Sequence, residues 1–226
     1  MCGKFTQMMS WQELVDLADI VGTDDAAPST VTPMRFARVI RLNADGARES
    51  VAMRWGFSAR NAKTPAKPDH IHARAETIDT RPTFRDAFHA RRGILVVRTF
   101  NEGEDASPTK TIQHTLTPRD GKPLAIAALW EAWTHPEQGE LLTFVMVTVP
   151  ANRQIAAITD RMPAVLAPED WATWLGEEPA TPADLKSLLR TVDGDWDMAE
   201  EKKGAKRPPP EKPSPSKKAK PQGELF

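Results

Sequence analysis

Apolar residues first recur at helical spacing. Trp11, Leu14, Leu17 and Ile20 follow Ser10 and Glu13, which form a capping-box pair, and together they predict an amphipathic helix. The pattern then changes to short runs rich in β-branched and apolar residues. Glu49 to Phe57, Gly93 to Phe100, Thr111 to Leu116, Leu124 to Trp133 and Leu141 to Val149 read as strands. Thr83 to Ala90 reads as a helix with Phe84 and Phe88 on one face. Short helices are expected over Ala151 to Ile158, after Pro168, and after Thr181 with Pro182 at the first helical position. The central strands are not separated by regular helices. This predicts an α+β domain over residues 1–195 with a mixed or antiparallel sheet rather than a doubly wound parallel one.

After about Glu200 the periodicity stops. Lys202 to Lys220 carries 8 basic residues against a single acid, Glu211, amid many prolines. Such a stretch has too little apolar surface to offset ordering entropy, so 196–226 is expected to be a disordered basic tail. Large apolar residues return only in Gln222-Gly223-Glu224-Leu225-Phe226.

Composition narrows the function. The 226-residue chain is 40% hydrophobic and 27% charged, which is typical of a soluble globular protein with a real core. No apolar run is long enough to cross a bilayer, and the first ten residues lack the flanks of a secretory signal, so a cytoplasmic protein is expected. A single cysteine excludes an internal disulfide, and with five scattered histidines it offers no metal-ligand spacing; neither metal nor cofactor is expected. The net charge of −1 says nothing about nucleic acid.

That cysteine is Cys2, directly after Met1. Removal of Met1 would leave an α-amine and a thiol on one residue. An α-amine titrates at about 7.7–8.0 against about 10.4 for lysine, so roughly a tenth of it is neutral near pH 7. A neutral amine attacks an aldehyde to give an imine, and the neighbouring thiol can close a thiazolidine ring at high effective concentration. This chemistry needs Met1 removed and the sulfur within reach of a carbonyl. By position alone, Cys2 reads rather as an incidental residue of a frayed terminus.

Six segments in order resemble the SRAP (SOS response-associated peptidase) family. They are Met1-Cys2-Gly3-Lys4-Phe5, Met53-Arg54-Trp55-Gly56-Phe57, Ala73-Arg74-Ala75-Glu76-Thr77, Pro82-Thr83-Phe84 with Arg91-Arg92, Ala128-Leu129-Trp130-Glu131-Ala132-Trp133, and Asp160-Arg161-Met162-Pro163. The resemblance implies a barrel-like core with peripheral helices. It also implies recognition of abasic sites in single-stranded DNA and a covalent, lyase-like crosslink through Cys2. Where the family has G-F-Y-E-W this chain has Thr99-Phe100-Asn101-Glu102-Gly103, so the active-site glutamate maps to Glu102 and the tryptophan is lost. His72 stands where an asparagine is usual, Thr159 replaces an active-site histidine, and Lys4 replaces an arginine. The chain looks like a divergent member.

The resemblance makes Cys2 the nucleophile and Glu102 the acid/base group, a role that burial would support by raising its pKa. His72 can still donate or accept a hydrogen bond, either as a polar lining residue or in the proton role that Thr159 cannot fill. Lys4, Arg74 and Arg161 are the candidate phosphate ligands, with Arg54 and Arg92 behind them; an internal pair of Arg74 with Glu76 is the bland alternative. Trp55 is a candidate platform for unpaired bases, whereas Trp130 and Trp133 read as core. Gln222, Leu225 and Phe226 resemble the pentapeptide by which bacterial repair proteins bind the replication sliding clamp, and a monomer is expected. A catalytically impaired noncovalent DNA-binding module and a thiol autopeptidase stay open as alternatives.

Overall fold

The computed structural model describes residues 2–7, 11–20, 29–60, 62, 70–135 and 139–201. Met1, the Ser10 cap and the tail after residue 201, with the pentapeptide residues Gln222, Leu225 and Phe226, lie outside the described residues.

The strands belong to two sheets. In the first, β12 (Trp196–Glu200), β8 (Lys110–Pro118), β7 (Thr99–Ser107), β1 (Lys4–Gln7) and β2 (Ser29–Val31) lie side by side in that order, each pair antiparallel. In the second, β10 (Gly139–Pro150), β4 (Arg48–Trp55), β3 (Phe36–Leu42), β6 (Arg92–Val97) and β9 (Leu124–His135) follow one another, and β9 pairs back onto β10. The ring therefore closes and this sheet is a barrel. A closed ring leaves no edge among its members and buries one face of every strand. The long strand β10 does most of the joining. It pairs with β9 and, in parallel, with β4, then with β5 (His72–Arg74) in parallel and β11 (Arg161–Pro163) antiparallel.

Helices lie outside the sheets: α1 (Trp11–Ala18), α2 (Pro82–Ala90), α3 (Trp171–Leu175) and α4 (Pro182–Leu188). Phe84 and Phe88 of α2 are buried, as their spacing predicts. Thr181 caps α4 through a reciprocal bond with Asp184. The fold is thus the mixed α+β architecture expected. Details differ: the run Gly93 to Phe100 is broken at Arg98 and feeds both sheets, and its second part continues through the acidic stretch Glu102 to Asp105 as β7. Strand β12 lies within the stretch that the sequence reading assigns to the tail, and packs Trp196 into the core.

Gly93 shows why the barrel closes where it does. A Cβ there would come within 2.7 Å of Val39 Cγ1 and 3.0 Å of the Ile40 carbonyl oxygen, so β6 reaches β3 only because the position is bare.

Candidate active site

Strand β1 brings the amino terminus into the molecule. Lys4 pairs with Asn101 and Phe5 with Phe100, so Cys2 and Glu102 lie just beyond the last antiparallel pair and beside each other. Cys2 is neither frayed nor presented to solvent: it is 1% exposed, and its Sγ donates to the Lys4 carbonyl at 3.3 Å. Burial, reinforced by the negative charge of Glu102, pushes the thiol up to about 12. The sulfur in this Met1-bearing chain is therefore sealed, contrary to the accessible thiol that the sequence argument requires.

Glu102 is also 1% exposed. Burial raises its carboxyl to about 7, against the opposing influences of the amino-terminal charge and a backbone hydrogen bond from Cys2. The neighbouring Asp160 carboxylate adds a smaller upward push. A carboxylic acid poised near neutral pH beside the Cys2 backbone suits proton transfer.

His72 approaches from the other sheet, carried by β5 opposite Met146. Its ring meets Trp55 edge-on at 6.1 Å and engages the Cys2 backbone. Burial, aided by the amino-terminal charge, lowers it to about 4, so the imidazole is neutral at physiological pH. Its Nε2 is buried and has no hydrogen-bond partner among the described residues. Thr159 sits half-buried in the bend before β11, its backbone N–H bonded to the Ile155 carbonyl at 3.1 Å.

The expected DNA ligands divide. Arg74 is exposed at the end of β5, with no ion pair among the described residues, and it lines a shallow pocket with Thr77, Thr80 and Arg81. Lys4 ion-pairs with Glu201. Arg161 is an internal brace: it grips Glu76 through both guanidinium nitrogens at 2.6 and 3.0 Å and donates to the Thr148 carbonyl at 2.7 Å. Glu76 thus pairs with Arg161, not Arg74. Arg92 spends its guanidinium on the Phe88, His89 and Trp174 carbonyls, and Arg54 reaches Ser58. Trp55 cannot stack on a base in this conformation. It is fully buried, with Phe5 at 4.9 Å and Phe144 stacked at 6.4 Å, and its indole N–H bonds the Ile71 carbonyl. Trp133 is core, and Trp130 is half-buried under the Arg41 guanidinium.

Sequence reasoning missed Asn101, Thr115 and Glu201. Glu201 Oε1 accepts from Asn101 Nδ2 at 2.8 Å and Thr115 Oγ1 at 3.2 Å, and it is also the oxygen that Lys4 Nζ contacts. Nothing local marks Asn101 or Glu201: burial in β7 runs through Phe100, Asn101 and Glu102 without alternating. Among the described residues, no group of three or more His, Cys, Asp or Glu side chains could hold a metal ion.

A family model described as SOS response associated peptidase (SRAP) matches residues 1–202. The chain is 30% identical over 203 residues to the abasic site processing protein YoqW of Bacillus subtilis, covering 86% of this chain and 89% of that protein. It is 28% identical over 194 residues to the abasic site processing protein YedK of Escherichia coli, covering 79% and 81%. A solved structure from Bacteroides thetaiotaomicron superposes with a TM-score of 0.75 at 21% identity, over 89% of this chain and 93% of that one. One from Bordetella bronchiseptica gives 0.74 at 21%, over 89% and 100%.

Proposed function

The chain belongs to the SOS response associated peptidase (SRAP) family, and from that premise we propose that it processes abasic sites in single-stranded DNA by covalent capture at Cys2. The names of its curated relatives support the substrate. The observation that carries the chemistry is the buried Glu102 carboxyl, held near 7 beside the Cys2 backbone.

With Met1 in place, burial pushes the Cys2 thiol up to about 12, so it is not poised for an autopeptidase, which needs the thiolate. After Met1 is removed, the neutral Cys2 amine adds to the open-chain sugar aldehyde to give a carbinolamine. The Glu102 acid donates its proton to the departing hydroxyl, releasing water and an iminium. The Cys2 sulfur then bonds to the iminium carbon and loses its proton. We assign that proton to Nε2 of the neutral His72 ring, from which it returns to the Glu102 carboxylate. The net reaction joins one amine-thiol and one aldehyde into a thiazolidine and one water. The sealed thiol is that of the chain with Met1 in place; capture requires the residues around Cys2 to open once Met1 is gone.

The test is incubation of protein verified by mass to lack Met1 with abasic single-stranded DNA, followed by denaturing electrophoresis. A heat-stable adduct that is lost in Cys2→Ala is expected. Absence of any adduct from the processed protein would refute the covalent reading and leave a noncovalent binding module.

A further inference from the structure

Lys4, Asn101 and Thr115 lie on three adjacent strands, β1, β7 and β8, and aim an ammonium, an amide N–H and a hydroxyl at one oxygen of Glu201. Asn101 is itself buried, and its Nδ2 also donates to Thr115 Oγ1 at 2.7 Å, so the donors are held together. The pull on the anion is real: the Lys4 hydrogen bond holds the Glu201 carboxyl below its usual range. A carboxylate oxygen gathered in this way stands where a phosphate oxygen would be bound, because the same donors recognise both anions.

We propose that Lys4, Asn101 and Thr115 form a phosphate site for the backbone of single-stranded DNA, and that Glu201 occupies it in the free protein. The inference rests on the DNA-capture reading and adds to it a built contact and its competitor. One feature places the site near the chemistry: Lys4 is two residues from Cys2 on the strand that leads to it, whereas Asn101 and Glu102, neighbours in β7, turn their side chains to opposite faces of the sheet. Two further features make the occupant replaceable. The Glu201 side chain is 33% exposed and that of Lys4 29%, so a phosphate can reach the site without rearranging the core. The Glu201 backbone N–H bonds the Gln113 carbonyl at 2.7 Å, which keeps the chain in place when the carboxylate swings away.

The experiment is fluorescence anisotropy with a labelled single-stranded oligonucleotide carrying a tetrahydrofuran residue, an abasic analogue without an aldehyde, so that binding is read without crosslinking. Releasing a partly exposed ion pair predicts that Glu201→Gln tightens binding about two- to fivefold at low salt. Glu200→Gln, the same charge change one residue earlier, should leave affinity unchanged. Lys4→Ala should weaken binding and lower the log–log salt slope by about 0.7, the value of one phosphate contact on a single strand. In the Lys4→Ala background, Glu201→Gln should give no gain. Wild-type affinity in Glu201→Gln, an equal gain from Glu200→Gln, or an undiminished gain without Lys4 would each overturn the inference while the wild-type adduct stands. A wild-type protein that neither binds this oligonucleotide nor crosslinks to abasic DNA would overturn both readings.

Discussion

Replacing Glu102 by glutamine should strengthen the fold near and above neutral pH while it slows the chemistry. The carboxyl is 1% exposed, and burial raises it from an ordinary 4.5 to about 7. The folded protein therefore holds this proton more tightly than the unfolded chain does. Its contribution to stability is fully present below pH 4.5 and is lost as pH rises through about 7. Above that range the buried carboxylate weakens the fold by about 3 kcal/mol relative to the acid form. Glutamine has nearly the same shape and no proton to lose. The stability gap between Glu102→Gln and wild type should thus be near zero at low pH and grow to about 3 kcal/mol by about pH 8. For a domain of this size that corresponds to roughly 6–12 °C in melting temperature. Crosslinking should fall by about 10²- to 10⁴-fold, the usual contribution of a positioned acid. The wild-type rate should peak between about pH 7 and about pH 8, where the Glu102 acid and the neutral Cys2 amine coexist, and decline above, and the residual rate of the variant should lack that falling limb. Urea titrations followed by tryptophan fluorescence across this pH range, with adduct gels in parallel, measure both effects. A stability gap that does not change with pH, or an adduct rate within about threefold of wild type, would refute the reasoning.

Folded protein retaining Met1 should react with iodoacetamide at Cys2 about 10³-fold more slowly than the urea-unfolded chain near pH 8, because burial holds the thiol near 12 instead of 9; equal rates would mean the sulfur is open. Gly93→Ala should destabilise by about 1–3 kcal/mol in urea titrations, since its Cβ would meet Val39 Cγ1 at 2.7 Å and rigid backbone at 3.0 Å. His72→Asn should slow formation of the heat-stable adduct more than that of the borohydride-trapped imine, because it removes only the acceptor for the thiol proton; parallel losses would point to a purely structural role.

The sequence by itself determined the fold class, most central strands and the capped helix after Thr181. Each of these is written in a local signal: alternation, a cap, or a run of motif residues in fixed order. The tertiary structure decided what depends on neighbours distant along the chain. Trp55 looked as suitable for stacking on DNA as for packing, and only the positions of Phe5 and Phe144 seal it in the core. Arg161 looked like a phosphate ligand until Glu76, 85 residues away, took its guanidinium. Lys4 meets Glu201 across 197 residues. The three-residue strand β5 carries too few side chains to show a period, yet it sets His72 against Cys2. Proton affinities belong to this second class as well. Burial and neighbouring charge alone separate Cys2 at about 12, Glu102 at about 7 and His72 at about 4, and no residue type or spacing in the chain encodes that order.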